Sequence, residues 1–306
     1  MVIRHERMAA LVTGGTDGIG KEIARRLARS GVQVGVIGRD ACKGEEAVHE
    51  LRSSSGNPGI DFLQADLSLM SECDRVSAQI LEHWPSLHYL VHSAGVVRGR
   101  RELTAEGLEC NFATNYLSRY GLTQRLRPLL SATGTPEDPA RVVIVSGAAR
   151  GGRIYFNDVN LASNFSVLRA ILQFCEANDL YTAELTRRLR AESAAPRVVV
   201  TCLKVGVVKT RIRRGFPLWM KLLVPLLMDP LLGQQPQEVA EAAMALLVGA
   251  PAEDVAGMLF SKVRHLRRLT PSQTERTEGQ CRQLWDLSEQ LAFPASTTFR
   301  HGTACS

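Results

Sequence analysis

The run Thr13-Gly14-Gly15-Thr16-Asp17-Gly18-Ile19-Gly20 stands between an apolar stretch at 9–13 and an amphipathic helical pattern at 18–30. A strand that enters a glycine turn and leaves as a helix restricts the fold more than any other feature of this chain. Glycines let the turn reverse tightly and let the backbone approach a phosphate. The helix N-terminus then offers free N–H groups to its charge. Gly14, Gly18 and Gly20 are four and two apart, unlike the commoner G-x-G-x-x-G, and it is the flanking strand and helix that give the pattern meaning. The turn predicts a dinucleotide site lined by Thr13, Gly14, Gly18, Ile19 and Gly20.

The rest of the chain continues the same rhythm. Apolar runs of strand length lie at 9–13, 33–37, 60–65, 87–92, 141–146, 197–203 and 257–261. Rich in Val, Ile and Leu and lacking polar alternation, they suit strands covered on both faces. Helical patterns lie between them at 18–30, 41–53, 69–83, 103–130, 167–191 and 237–248. Alternating β and α predicts a single α/β domain: a doubly wound, mostly parallel seven-stranded sheet with helices on both faces and right-handed crossovers. The domain is expected over 1–265, followed by a helical tail at 266–306. One segment breaks the rhythm. Residues 211–235 are strongly apolar and interrupted by Pro217, Pro225 and Pro230, which argues for short helices forming a lid or packing segment. Arg211, Arg213 and Arg214 beside Trp219 also allow a patch that dips into a membrane interface.

Composition removes several classes of function. The net charge of +6 favours anionic ligands, but the basic residues are scattered and aromatics make only 6%, so no nucleic-acid partner is expected. Seven cysteines without a CxxC pair suggest reduced thiols and a cytoplasmic setting, with peripheral membrane contact through 211–235. The first ten residues run into the first strand, leaving no room for a signal peptide, and no apolar run reaches spanning length. His83, His88 and His92 carry no ligand pattern, so no metal is expected.

TGGTDGIG resembles the TGxxxGxG signature of the short-chain dehydrogenases/reductases, and the resemblance extends over about 9–260. Asp66-Leu67 resemble the family's adenine contact, and Ser93-Ala94-Gly95 its N-A-G turn with Ser for Asn. Residues 109–123 (ECNFATNYLSRYGLT) are similar to the fourth helix of the retinol-dehydrogenase-like branch and put the helix Asn at Asn115. Val205-Gly206-Val207-Val208-Lys209-Thr210 resembles PGxxxT, which places Gly206 and Thr210 at the nicotinamide amide. The fold implied is Rossmann-type, and the cofactor is NADP(H) or NAD(H). Arg39 at the end of the second strand offers a planar fork to a 2′-phosphate and favours NADP(H). The competing reading leaves Arg39 in solvent and turns Asp40 to the ribose of NAD(H).

The resemblance implies a Ser-Tyr-Lys-Asn set: Tyr as general acid, Lys lowering its pKa and holding the ribose, Ser orienting the substrate oxygen, Asn completing a relay. Here Gly147 holds the Ser position, and no Tyr in the chain has Lys four residues later. Either Phe174 and Asn178 stand where Tyr and Lys would be, or three residues are deleted after Glu176, turning the helix by about 300°. Only Asn115 survives, as a relay group or as a polar residue bonding backbone at a helix irregularity. Tyr155, Tyr181, Glu176 and Asp179 are further candidate acids, and Lys204, at the end of the sixth strand, is the first candidate substitute for the missing ammonium.

Two functions stand first, with hydride transfer to an activated C=C, which demands less of a Tyr acid, as a third. One is an NADP(H)-binding oxidoreductase by descent, with a lipophilic alcohol or carbonyl substrate but not the standard carbonyl reduction. The other is a cofactor-binding pseudoenzyme with a sensing or scaffolding role. The resemblance also implies a homo-oligomer packed through 103–130 and 167–191.

Overall fold

The apolar runs become strands because only strands covered on both faces can hide them, and β1, β4 and β6 are buried along their whole length. The computed structural model describes residues 8–208, 223, 233–263, 265–269 and 275–294. In chain order these form β1 (Ala9–Thr13), α1 (Gly18–Arg29), β2 (Gln33–Gly38), α2 (Ala41–Ser55), β3 (Ile60–Gln64), α3 (Met70–His83) and β4 (Tyr89–His92). A short α4 (Cys110–Phe112) then passes through a π turn (Ala113–Leu117) into α5 (Ser118–Thr133), followed by β5 (Ala140–Gly147), α6 (Val167–Glu192) and β6 (Val198–Val205). Helices at Pro236–Met244 and Ala252–Val255 precede β7 (Leu259–Lys262) and β8 (Leu266–Leu269), and a helix at Glu275–Ala292 follows.

The strands form one sheet in the order β3-β2-β1-β4-β5-β6-β7-β8, parallel except for β8. The order reverses between β1 and β4, whose register runs from Ala10 opposite Tyr89 to Thr13 opposite His92. A crevice for ligands opens at such a point, beyond the carboxyl ends of the strands. One core layer lies under α3, α5 and α6 and includes Leu90, Tyr116, Leu122, Val142 and Leu185. The other lies under α1, α2 and the Pro236–Met244 helix and includes Ile23, Val36, Val91, Leu203 and Leu247. Each such side chain contributes about 1.5–3 kcal/mol on burial, so the sheet is the rigid part that positions everything at its edge.

The structure adds an eighth strand to the seven expected. Leu266-Arg267-Arg268-Leu269 pairs antiparallel with β7, and its two arginines hide it from a search for apolar runs while protecting an edge. The boundary expected at residue 266 therefore falls inside a β-hairpin. The helix expected over 103–130 begins at Cys110, because the Glu109 carboxylate caps it, accepting from Asn111 N at 3.0 Å and Phe112 N at 2.9 Å. Ahead of it, Gly107 turns the chain with φ 78°.

The C-terminal helix packs across α6 and α5 with Cys281, Leu284, Trp285, Ser288 and Ala292 buried. Tyr116 and Ser288 share a hydrogen bond of 2.6 Å, and Tyr120 donates to Glu289. Arg188 lies 4.1 Å over the Trp285 ring and Arg125 lies 4.1 Å over Phe293. Among the described residues, no helix is long and apolar enough to cross a membrane. The segment expected to form a lid at 211–235 lies outside the described residues except for Leu223 and 233–235.

Candidate functional site

At the switch point the glycine turn is packed so closely that side chains are excluded. Gly14 and Gly18 have φ of 66° and 52°, a region that costs other residues dearly. A Cβ on Gly14 would lie 2.8 Å from Ala94 Cα, and one on Gly20 would lie 2.4 Å from the Gly14 carbonyl oxygen. Asp17 is the N-cap of α1, its Oδ1 accepting from Gly18 N at 2.8 Å, and Ile19 packs against the core behind the turn. Thr13 ties this turn to the next one along the crevice: its Oγ1 accepts from Ser93 N and Ala94 N, both at 3.1 Å. Thr13, Gly14, Gly18, Gly20, Ser93 and Ala94 thus converge at the carboxyl ends of β1 and β4, with Gly95 next along the second turn. A glycine-rich turn before a helix N-terminus fits a pyrophosphate.

The ends of β2 and β3 frame one side. Asp66 Oδ1 accepts from Ser68 N at 2.9 Å, fixing the turn after β3, and Leu67 is buried. Asp40 is the N-cap of α2, accepting from Lys43 N at 3.1 Å and from Lys43 Nζ at 2.7 Å. Those bonds hold its carboxyl below the ordinary aspartate range. Arg39 is exposed, and its side chain has no ion pair among the described residues. On the other side, Gly206 N donates to Lys262 O at 3.4 Å, and Thr210 lies outside the described residues.

The chemistry expected next to the glycine turn depends on α6, which runs unbroken from Val167 to Glu192. Phe174 joins the core beneath α5. Asn178 is fully buried; its Nδ2 donates to the Asn115 carbonyl at 3.0 Å and its Oδ1 accepts from Arg119 at 3.2 Å. Neither side chain comes within 4 Å of where a Gly147 Cβ would stand. The side chain that does face Gly147 is Cys175: a Cβ on Gly147 would lie 3.0 Å from its Sγ. One turn further on, Asp179 pairs with Lys204, which is 1% exposed. Burial alone would push the Lys204 ammonium down, but the Asp179 carboxylate beside it holds it above the ordinary lysine range. Residues four apart share a helix face, so Ile171, Cys175 and Asp179 present one stripe to the ends of β5 and β6.

Asn115 lies in the π turn, and its side chain is committed to backbone. Oδ1 accepts from Val96 N at 3.1 Å, while Nδ2 donates to Val96 O and Asn111 O, each at 2.8 Å. Arg119, one turn on, is buried and bonds Ala94 O at 3.1 Å as well as Asn178, and burial pushes its guanidinium down to about 10. It binds the second turn of the crevice to α6. Tyr181 is fully within the aromatic core, accepting from Gln124 at 3.0 Å, far from any role as a crevice acid. Cys175 was not singled out by its sequence context. Only its distance from Gly147, which joins a strand end to a helix 28 positions later, reveals it.

A doubly wound sheet with a glycine-rich turn at its switch point defines the dinucleotide-binding α/β class. The sequence pattern of the short chain dehydrogenase family matches residues 8–163. Human polyprenol dehydrogenase is 30% identical over 94% of this chain and 86% of its own length. Human retinol dehydrogenase 13 is 30% identical over 92% of this chain and 83% of its own length. Among solved structures, an uncharacterized protein from Mycobacterium paratuberculosis superposes with a TM-score of 0.69 at 26% identity, covering 94% of this chain and 93% of that one. The chain belongs to the short chain dehydrogenase family of oxidoreductases, on its retinol-dehydrogenase-like branch.

Proposed function

We propose that this chain binds NADP(H) at the switch-point crevice together with a lipophilic alcohol or carbonyl ligand, and lacks the family's ordinary proton transfer. The observation that carries this reading is the α6 stripe opposite Gly147. The family's Tyr and Lys are four residues apart on one face, and the face that meets Gly147 offers Ile171, Cys175 and Asp179. Ile171 has no proton to give. Burial pushes the Cys175 thiol up, with the Asp179 carboxylate also raising it and the Lys204 ammonium lowering it. Lys204 is spent on Asp179 and is held protonated, a poor acid near neutral pH.

The cofactor reading rests on Gly14, Gly18 and Gly20 for the pyrophosphate, and on Arg39 for a 2′-phosphate, because Asp40 is occupied in capping α2. A bound nicotinamide would supply or accept hydride; the protein's own residues hold its phosphates and shape the crevice. Relatives named for polyprenol and retinol support a lipophilic ligand.

Fluorescence titration with NADPH and NADH, then hydride transfer to a panel of aldehydes and ketones, tests both halves. NADPH is expected to bind more tightly than NADH, with turnover near background. In the triple variant Gly147→Ser, Ile171→Tyr, Cys175→Lys turnover should rise at least tenfold. Turnover in the unaltered chain at rates typical of enzymes, on the order of 1 s⁻¹ or more, defeats the proposal; failure to bind either cofactor defeats it as well. The second reading, a cofactor-dependent sensor or scaffold, is favoured by the same missing acid, and it predicts binding without turnover.

A further inference from the structure

The connection between β5 and α6 leaves the carboxyl end of β5, the edge at which ligands bind in sheets of this kind. It is anchored firmly. Gln173, 1% exposed on α6, accepts from Tyr155 N at 3.0 Å and donates to Val159 O at 2.9 Å. Leu161 in the same segment holds φ at 51°, a strained conformation for a leucine that the surrounding contacts must enforce. Tyr155 is thereby fixed against α6, with two guanidiniums gathered on its ring. The Arg153 carbon lies 4.6 Å and the Arg169 carbon 5.5 Å from the ring centroid. The acid of the segment, Asp158, is consumed in capping, accepting from Ala162 N at 2.6 Å and Ser163 N at 3.0 Å. Among the described residues neither Arg153 nor Arg169 has a carboxylate within ion-pair distance; Arg169 donates to the Asn164 carbonyl, and both guanidiniums bond the Tyr155 hydroxyl.

We propose that Arg153 and Arg169, held across Tyr155, form an anion site that receives the phosphate or carboxylate headgroup of a lipophilic ligand entering the crevice. Two like charges on one ring repel each other, and the ring face offsets only part of that cost, so an anion is the natural third member. Guanidinium groups bind such oxyanions bidentately. The surroundings are amphiphilic. Leu168, beside Arg169 in the first turn of α6, is 59% exposed, and Leu103 in the neighbouring segment is 48% exposed. Arg101 from that second segment donates to Asn160 O at 2.8 Å, which brings a further guanidinium to the β5–α6 connection. The Arg153 guanidinium beside its hydroxyl also holds the Tyr155 phenol below its ordinary range, a sign of positive potential there.

The inference rests on the crevice being a ligand site, as proposed above, and the test separates the two. Calorimetric titration of the full chain would compare dodecyl phosphate, below its micelle concentration, with dodecanol and with inorganic phosphate. Dodecyl phosphate should bind at least tenfold more tightly than either. The double variant Arg153→Ala, Arg169→Ala should lose that preference while NADPH affinity holds; Tyr155→Phe, which keeps the ring, should retain most of it. Equal affinity for dodecyl phosphate and dodecanol overturns the site, as does a preference that survives in the double variant. Inorganic phosphate binding as tightly as dodecyl phosphate overturns the amphiphile assignment. Loss of NADPH binding in the unaltered chain counts against the cofactor reading alone, since the headgroup preference is measured without it.

Discussion

Single residues set both what the crevice admits and how it responds to pH. Gly20→Ala puts a methyl group 2.4 Å from the Gly14 carbonyl, so the turn must open and NADPH affinity should fall by more than tenfold in a fluorescence titration. Arg39→Asp removes a charge-assisted contact of about 1.5–3 kcal/mol and adds a competitor for the ribose hydroxyls. The ratio of NADPH to NADH affinity should drop by roughly ten- to a hundredfold by the same estimate; an unchanged ratio would remove Arg39 from the site. His92 gives a pH signature. It is fully buried, hydrogen-bonded to Thr123 at 2.8 Å, and lowered to about 3 by burial and by the Arg119 charge. The unfolded chain binds a proton near pH 6.5 that the folded chain refuses until about pH 3, so stability falls as pH drops through that window. The slope from this group reaches about 1.4 kcal/mol per pH unit, and urea midpoints measured between pH 7 and 4 should show it disappear in His92→Gln.

At the scale of elements, the alternation of strands and helices was legible because strands buried on both faces read as short apolar runs and helices as amphipathic ones. The legible pattern stopped where polar side chains do backbone work. The fourth helical pattern reads as one helix from 103, yet Glu109 starts it and Asn115 sits in a π turn whose extra carbonyl it serves. Asn115 could be read as a relay or as a structural residue, and three bonds to Val96 and Asn111 show how fully its side chain is used. Asn115→Ala leaves those backbone groups without partners at about 1–3 kcal/mol. Denaturant unfolding should report that loss, and NADPH affinity should fall with it because Val96 follows directly on the Ser93-Ala94-Gly95 turn. A loss of affinity with no loss of stability would instead favour a direct role. The helix α6 teaches the converse: its existence and length were plain, whereas which face meets Gly147 depends on the rotation of the whole helix about its axis.

At the scale of the molecule, the C-terminal helix covers the surface of α5 and α6 through which family resemblance implied assembly. A second copy could pack there only by displacing Trp285, Leu284 and the Tyr116–Ser288 and Tyr120–Glu289 bonds. Self-association through that surface is therefore expected to be weak, and deletion of 275–306 to expose an apolar stripe and raise self-association in light scattering. Self-association unchanged by the deletion would contradict this. Trp285→Ala should cost about 3–5 kcal/mol, as large aromatic truncations do in a core. By itself the sequence determined seven of the eight strands, the glycine turn and the absence of a Tyr-x-x-x-Lys pair, because periodicity and glycine spacing are local properties of a chain. Tertiary structure alone decided that Cys175 faces Gly147, that Lys204 is tied to Asp179, that Arg153 and Arg169 meet on Tyr155, and that the tail covers α5 and α6. Each of these is a meeting of residues far apart in sequence or on opposite sides of a turn, fixed by how helices rotate and dock on the sheet rather than by any pattern along the chain.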